Sequence, residues 1–256
     1  AVQVAAQDAF GNLVTGFTGS IALAIGTNPG GATLGGTTSV TAVAGMATFS
    51  TLTLSNGGTG YTLVATATGL TTATSAPFNI VGGVPTLLAF IVQPTQTAAG
   101  SPITPAVQVE IRDAVGNRVI TATNSVTLAI GNNPGAGTLS GTSTVAAVGG
   151  VATFTGLSID RTGTGYTLGA TSASLTGATS AAFNITAAPP TLLAFTTQPP
   201  VSQTAGAAFT VVVEARDVLG NRATGFSGSV AIAFGANPGG GTLSGTLTAT
   251  AVAGVA

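Results

Sequence analysis

Residues 107–117 read Val-Gln-Val-Glu-Ile-Arg-Asp-Ala-Val-Gly-Asn, an alternating segment followed directly by a turn motif. Successive side chains of a β-strand point to opposite faces, so Val107, Val109 and Ile111 share one face and the polar residues between them share the other. The Asp113-x-x-Gly-Asn motif that follows is typical of a tight turn, because Asp bonds nearby backbone amides and Gly adopts positive φ. This stretch therefore predicts a strand with one buried face that ends in a turn.

The turn motif is repeated. It starts at Asp8, Asp113 and Asp217, which are 105 and 104 residues apart. Other motifs recur at the same spacing: Thr-Leu-Leu-Ala-Phe at 86–90 and 191–195, Asn-Pro-Gly at 28–30, 133–135 and 237–239, Thr-Gly-Tyr-Thr-Leu at 59–63 and 164–168, and Phe-Asn-Ile at 78–80 and 183–185. Self-similarity at a fixed period indicates a tandem-repeat architecture.

The spacing predicts three repeats, of which only the central one is complete. We place them at 1–84, which lacks a first strand, at 85–189, and at 190–256, which lacks the last strands. Short Pro-containing junctions predict repeats stacked as a rod. The first and third repeats share several strands, which argues against simple complementation between chain ends, so we expect the chain to be a window of a longer one.

Seven strands are predicted in the central repeat. Short β-favouring runs separated by Gly, Pro and Asn are typical of a sandwich, and one immunoglobulin-like sandwich has about 100 residues. The fold prediction is therefore all-β, with tandem immunoglobulin-like β-sandwich domains of about seven strands each. The predicted strands are 87–92, 105–112, 124–130, 138–147, 151–158, 165–173 and 178–186.

Composition excludes several functional classes. Five basic and six acidic residues among 256 give a net charge of −1, which offers no electrostatic footprint for nucleic acid. The chain has no run of 18 apolar residues, so no membrane insertion is expected of it. His, Cys and Lys are absent, so a Ser or Thr nucleophile would lack a His or Lys base. We expect no catalytic or cofactor-binding residues and no enzyme.

These motifs resemble those of bacterial immunoglobulin-like (Big) domains of the invasin and intimin type. The matching elements are Leu-Leu-Ala-Phe-x-x-Gln-Pro, Asp-x-x-Gly-Asn, Gly-Val-Ala-Thr-Phe at 150–154, Gly-Tyr-Thr-Leu and Phe-Asn-Ile. The resemblance covers the whole chain. It implies an extracellular or cell-surface location and a role in stalks, spacers or adhesive arrays of large secreted proteins.

The three turn aspartates have two interpretations. Asp8, Asp113 and Asp217 are calcium candidates, since related extracellular arrays sometimes bind calcium at such turns. Calcium usually takes six to eight oxygen ligands, and each motif offers one carboxylate and one Asn amide. The alternative, which we favour, is that each Asp caps a tight turn.

Other recurring residues have structural interpretations. Glu110/Arg112 and Glu214/Arg216 lie two apart on a strand, where they predict exposed ion pairs rather than a catalytic site. A Tyr before the sixth strand, Tyr61 or Tyr166, predicts a tyrosine corner whose hydroxyl bonds back to the backbone.

Recurrence in register predicts core positions for six phenylalanines, whereas Phe17 and Phe226, matched by Ala122, are expected to be partly exposed. The six are Phe49, Phe78, Phe90, Phe154, Phe183 and Phe195.

The functional hypothesis is a structural repeat segment of a bacterial extracellular filament, stalk or surface fibre. Its expected partners are adjacent repeats or copies of itself, arranged end to end or laterally. The alternatives are an adhesin or carbohydrate-binding array, and a spacer appended to a secreted enzyme. The few aromatic residues in the loops favour the structural role.

Overall fold

A computed structural model describes residues 1–256, which form 26 β-strands and no helix. The all-β prediction is confirmed. No helix with the length and apolarity needed to cross a membrane is present.

The first repeat contains ten strands. They are β1 (Val2–Ala5), β2 (Ser20–Ile25), β3 (Leu34–Gly35), β4 (Ser39–Thr41), β5 (Met46–Phe49), β6 (Thr53–Leu54), β7 (Gly58–Tyr61), β8 (Leu63–Ala67), β9 (Ala73–Thr74) and β10 (Phe78–Ile80).

The second repeat contains twelve strands and the third contains four. The second has β11 (Leu87–Val92), β12 (Thr97–Ala98), β13 (Val107–Arg112), β14 (Ser125–Ile130), β15 (Leu139–Ser140), β16 (Thr144–Ala146), β17 (Val151–Phe154), β18 (Ser158–Ile159), β19 (Gly163–Tyr166), β20 (Leu168–Thr171), β21 (Ala178–Thr179) and β22 (Phe183–Thr186). The third has β23 (Leu192–Thr197), β24 (Val212–Arg216), β25 (Ser229–Ala231) and β26 (Thr248–Thr250).

The seven strands predicted for the second repeat are present; three of them are continuous (β11, β13 and β14) and the other four are each divided. The predicted strand 138–147 is divided into β15 and β16 at Gly141, which has φ 99°. A Cβ there would lie 2.5 Å from the carbonyl oxygen of Gly156, so the chains approach too closely for a larger residue. The segment 97–98 was not predicted as a strand and pairs in parallel with β22.

By contacts the chain divides into two compact units that do not coincide with the repeats. Unit one contains residues 1–87, 111–122 and 148–150, and unit two contains the rest. Unit one therefore includes the Asp-x-x-Gly-Asn turn of the second repeat together with the first repeat. The repeat boundaries at 84/85 and 189/190 stay predictions.

Unit one is built on the sandwich of the first repeat. One sheet has the order β4-β2-β8-β9, and shorter sheets are β1-β5, β10-β7 and β3-β6. Antiparallel pairing of β1 with β5 places Val2 opposite Phe49 and Val4 opposite Ala47. The buried core consists of Ile21, Leu23, Ala42, Ala47, Phe49, Leu63 and Ala65.

Unit two contains the corresponding sheets of the second repeat and the strands of the third. A four-stranded sheet has the order β16-β14-β20-β21, and shorter sheets have the orders β11-β13-β17 and β12-β22-β19. Pairing of β13 with β17 places Val107 opposite Phe154, the register of β1 and β5 shifted by one repeat. In the third repeat β23 pairs with β24 and β25 with β26. The immunoglobulin-like sandwich is thus formed by repeated registers as well as repeated sequence.

The core prediction for the phenylalanines holds in part. Phe49, Phe154 and Phe183 are buried, and Phe78 and Phe90 are half-buried. Phe195 contradicts the prediction, since 46% of it is exposed. It lies on β23, which pairs with β24 alone, and Leu192 and Leu193 on the same strand are also exposed. Phe17 and Phe226 are half-buried, as expected.

Candidate functional site at the repeat junctions

The three Asp-x-x-Gly-Asn turns share one internal geometry. In the second repeat, Oδ1 of Asp113 accepts hydrogen bonds from the backbone amides of Val115 (3.1 Å) and Asn117 (2.8 Å). Gly116 has φ 93°, a left-handed conformation that favours glycine. The turns at Asp8 and Asp217 make the equivalent bonds at 2.8–3.0 Å. The predicted capping role of the aspartates is therefore seen in all three turns.

Within unit one, the Asp113 turn also bonds to the first repeat and to the residues that follow it. The second carboxylate oxygen, Oδ2 of Asp113, accepts a hydrogen bond from the amide of Gly83 at 2.8 Å. The Asn117 side chain donates to the carbonyl of Ser55 at 3.2 Å and accepts from the amide of Gly57 at 3.2 Å. One Asp and one Asn thus hold a linker and a loop that lie 30 to 62 residues away.

The same three contacts occur independently within unit two. Oδ2 of Asp217 accepts from the amide of Ala188 at 3.1 Å. The Asn221 side chain donates to the carbonyl of Asp160 at 2.9 Å and accepts from the amide of Thr162 at 3.3 Å. We call this set of three contacts the Asp/Asn clamp. Its recurrence with the same atoms shows that the clamp belongs to the repeat rather than to one loop.

The loop that the clamp binds is also held by a tyrosine that recurs in the first two repeats, Tyr61 and Tyr166. The hydroxyl of Tyr61 donates to the carbonyl of Asn56 at 2.9 Å, and that of Tyr166 donates to the carbonyl of Arg161 at 3.0 Å. Both rings are fully buried. Burial raises the pKa of Tyr166, which keeps its hydroxyl a donor. The tyrosine-corner prediction is borne out by this backward bond, and the corner has the added effect of positioning the clamped loop.

The linker is anchored a second time just after the clamp. The amide of Thr86 donates to the carbonyl of Arg112 at 2.8 Å, and the amide of Thr191 donates to Arg216 at 2.8 Å. The residues from Gly83 to Thr86 are therefore bonded at both ends. A linker bonded in this way has far less freedom than a Gly/Ser chain.

The Asp8 turn of the first repeat has the internal bonds and none of the external ones. Asn12 donates from its side chain to Oδ2 of Asp8 at 3.1 Å, and both residues are exposed. Phe10 at the tip is 91% exposed. By contrast, Asp113, Asp217 and Asn221 are buried.

Hydrogen bonding lowers the pKa of all three carboxyl groups, for different leading reasons. For Asp8 the side-chain bond from Asn12 lowers the pKa most. For Asp113 the amide of Gly83 has the largest effect and outweighs burial. For Asp217 burial pushes the pKa upward most strongly, but the bonds from Asn221, Ala188 and Leu219 together exceed it. The clamp carboxylates are therefore ionised at neutral pH.

The calcium hypothesis at Asp8, Asp113 and Asp217 stays a prediction. No group of three or more Asp or Glu side chains is arranged to hold a metal ion. Each carboxylate oxygen of Asp113 already accepts two hydrogen bonds. A calcium ion at this turn would have to replace those donors.

The predicted ion pairs are less exposed than the sequence indicated. Arg216 contacts Glu214 at 2.9 Å, and the Glu214 side chain is only 17% exposed. Arg222 approaches the same carboxylate at 3.9 Å. Glu110 is buried, which contradicts the expectation of an exposed pair with Arg112. The polar face of β13 is covered at that position, so alternation alone did not reveal its surroundings.

The sequence predicts the three turns but does not predict the groups that they bind. The partners of Asp113 and Asn117 are backbone groups of a loop and a linker, which carry no residue signature. The one available signal is that Asp and Asn recur in all three turns while the intervening residues vary: Ala-Phe, Ala-Val and Val-Leu. The same Asp and Asn also bond to each other within every turn, so their recurrence alone does not reveal the external partners.

No protein-family model and no curated protein sequence matches the chain. Among solved structures, it is similar to the Escherichia coli adhesin FdeC, with 18% identity over 90% of this chain and 73% of that one, and a TM-score of 0.45. Invasin, a bacterial integrin-binding protein, has 17% identity over 89% of this chain and 45% of its own, with a TM-score of 0.38. A β-glycosidase from Bacteroides vulgatus has 16% identity over 63% of this chain and a TM-score of 0.34, and the chain spans only 21% of that enzyme.

Proposed function

We propose that this chain is a non-enzymatic structural segment of an extracellular or cell-surface protein, such as a filament, stalk or surface fibre. In this role each immunoglobulin-like repeat is held to the next by the Asp/Asn clamp. The resemblance of its motifs to Big domains supports the location, and the clamp supports the structural role.

The observation that carries the proposal is the recurrence of the clamp at two junctions. In both, the Asp carboxylate binds a linker amide, and the Asn side chain binds one carbonyl and one amide of a loop. A site that served one ligand or one reaction would have no need to recur between repeats. A connection between repeats has to be made at every junction.

The bonding pattern suits a connection that bears load. Charge-assisted hydrogen bonds such as that from Gly83 to Asp113 are stronger than neutral ones. Because the linker is bonded at Gly83 and again at Thr86, tension along the chain has to break these bonds before the linker extends. The junction is thereby stiffer than its Gly and Pro content alone indicates.

The composition is consistent with a protein exposed to variable surroundings. Only eleven residues of 256 carry acidic or basic side chains. Few titrating groups leave few ways for pH or salt to alter the fold.

The junction is tested by amide hydrogen exchange of the 256-residue protein. Asn117→Ala removes the clamp contacts to Ser55 and Gly57 and leaves the bond from Gly83 to Asp113, so we expect faster exchange at Gly57 with little change in the strands. Asn12→Ala is the matched control, because Asn12 occupies the same turn position without external partners. Equal exchange in both variants would show that the clamp does not hold the junction.

The location is tested by immunogold electron microscopy of intact source cells with antibodies to this chain. Labelling of surface fibres or of the cell envelope exterior is expected. Labelling confined to the cell interior would contradict the proposal.

A further inference from the structure

One of the loops held by the Asp/Asn clamp contains a chemically labile sequence. Asn56 is followed by Gly57, and the chain has no other Asn-Gly pair. Asparagine is a thermolabile residue, because the amide nitrogen of the residue that follows it can attack its side chain. Glycine in that place has no Cβ to obstruct the attack. The first junction therefore carries a candidate modification site inside its clamp.

The second repeat has the corresponding clamped loop without the labile pair. Arg161 and Thr162 stand there, one repeat further along the chain than Asn56 and Gly57. The amide of Thr162 binds the second clamp as the amide of Gly57 binds the first. An arginine side chain has no carbonyl carbon to attack, so the loop of the second repeat cannot react in this way. The two junctions share a clamp and differ in one reactive residue.

In the folded chain, three hydrogen bonds restrain the two groups that would react. The amide of Gly57, which is the nucleophile, donates to Oδ1 of Asn117 at 3.2 Å. The side-chain amide of Asn56, which is the electrophile, donates to the carbonyl of Gly30 at 2.9 Å. The hydroxyl of Tyr61 donates to the carbonyl of Asn56 at 2.9 Å and fixes the peptide between the two groups. Ring closure has to break the first two of these bonds.

We propose that Asn56 is a site of spontaneous deamidation that the Asp/Asn clamp protects while the first junction is closed and exposes when it opens. The amide nitrogen of Gly57 loses its proton and forms a bond to Cγ of Asn56. The bond from Cγ to Nδ2 breaks, and ammonia leaves with that proton. Water then adds to one of the two carbonyl carbons of the five-membered succinimide, and the ring opens to aspartate or isoaspartate. No oxidant, reductant or cofactor takes part.

The second step needs water, which the surroundings of the loop supply. Asn56 and Gly57 are half-buried rather than enclosed. Gly57 also borders an open crevice of unit one whose lining includes Ile80, Gly82 and Arg118. Hydrolysis therefore follows at the site once the ring has formed. Ring closure, and with it release of the Gly57 amide from the clamp, limits the rate.

The product cannot rebuild the contacts of the loop. An ionised carboxylate at position 56 has no hydrogen to donate, so it repels the carbonyls of Gly30 and Gly31 to which Asn56 donates. An isoaspartate also adds a methylene to the backbone, which displaces the amide of Gly57 from Asn117. Each reaction therefore weakens the first junction permanently, and the modified fraction records how long the junction has been open.

Deamidation at Asn56 presupposes the clamp of the proposed function and adds a covalent consequence of its opening. Amide exchange at Gly57 reports release of the clamp, since exchange requires local opening. The deamidation rate reports the chemistry that follows. Measuring both on the same variants separates a failure of the clamp from a failure of the chemistry.

The test incubates the 256-residue protein at mildly alkaline pH and follows residue 56 by peptide mass spectrometry, with chromatography to separate aspartate from isoaspartate. Asn117→Ala frees the amide of Gly57. Asn221→Ala is the matched control, because it removes the same contacts at the second junction, where the loop has no Asn-Gly pair. Asn56→Gln in the Asn117→Ala background identifies the site, since glutamine would have to close a larger and slower ring. Circular dichroism checks that each variant keeps its β content.

We expect slow deamidation at residue 56 in the wild type and in Asn221→Ala. Asn117→Ala should react about tenfold faster, which is the rate equivalent of about one hydrogen bond. Asn56→Gln should abolish the mass gain, and wild type unfolded in urea sets the upper rate. A second measurement needs no variant: in the wild type, low urea concentrations that raise amide exchange at Gly57 should raise deamidation in proportion.

Three results would overturn the proposal. The first is a folded wild type that deamidates as fast as the unfolded protein. The second is Asn117→Ala with faster exchange at Gly57 and unchanged deamidation, which would leave the clamp intact and refute the chemistry alone. If exchange is unchanged as well, the proposed function fails with it. The third is equal acceleration in Asn221→Ala, which would assign the reaction to a general loss of stability.

Discussion

The Asp8 turn has nearly the same internal hydrogen bonds as the turns at Asp113 and Asp217, but it lies in different surroundings. All three make the same bonds within the turn, at similar distances. Only the latter two bind a linker and a loop, and only in them is the aspartate buried. The motif therefore forms without its partners. The neighbouring repeat does not shape the turn but uses atoms that the turn already presents.

The largest difference in stability between variants of these turns is expected when the asparagine is replaced. Asn221→Ala removes the bonds to Asp160 and Thr162 from a buried position and should lower the free energy of unfolding by about 2 kcal/mol. Asn12→Ala, at the exposed equivalent, should cost about 0.5 kcal/mol or less, as is usual for surface positions. Urea unfolding of both variants measures the difference. Equal losses would show that the internal bonds of the turn dominate.

A smaller effect is expected at the tyrosine that supports the clamped loop. Tyr166→Phe keeps the buried ring and removes the hydroxyl bond to the carbonyl of Arg161, which should cost about 1 to 1.5 kcal/mol. Tyr61→Phe should behave alike, because its hydroxyl bonds to Asn56 in the same way. Urea unfolding again provides the measurement. A cost confined to one of the two would mean that the loops are not equivalent supports.

The pH dependence of stability should reveal the ionised clamps. The folded-state pKa values of Asp113 and Asp217 are lowered, so their contribution to stability is fully present above the unfolded value of about 4. It is lost as pH falls through the folded values. Stability should therefore be level from about pH 5 to 8 and decline below about pH 4. Asp113→Asn should weaken that decline, and an unchanged acid profile in this variant would show that Asp113 does not contribute.

The smallest effect is expected from calcium. Oδ2 of Asp8 accepts only the Asn12 side chain, so this exposed turn is the most accessible of the three carboxylates. One carboxylate and one amide fall well short of the six to eight oxygens that calcium takes. Calcium at millimolar concentration should leave the thermal midpoint unchanged. A rise that Asp8→Asn abolishes would instead support the calcium hypothesis.

Much of the fold could be predicted from the sequence because the properties of side chains determine it. Alternation at Val107, Val109 and Ile111 identified a strand whose apolar face is fully buried. The recurring tyrosines indicated the backward hydroxyl bond. The turn aspartates indicated caps, and the caps are present.

The contacts that could not be predicted depend on backbone atoms, which every residue has. The clamp binds amides and carbonyls, so neither Ser55 nor Asp160 is distinguished by its side chain. Glu110 is buried although it lies on the polar side of its strand. The break at Gly141 comes from the close approach of another backbone. Such contacts follow from the arrangement of the chain in space, which a local pattern does not encode.

Recognition through backbone atoms also affects how such a chain can evolve. The clamped positions are Ser55, Gly57 and Gly83 at one junction and Asp160, Thr162 and Ala188 at the other, with different side chains at every pair. The interface therefore places little demand on the identity of the neighbour. We therefore expect that recombination can add, remove or reorder repeats of this kind without any substitution being needed to form the contacts at each junction.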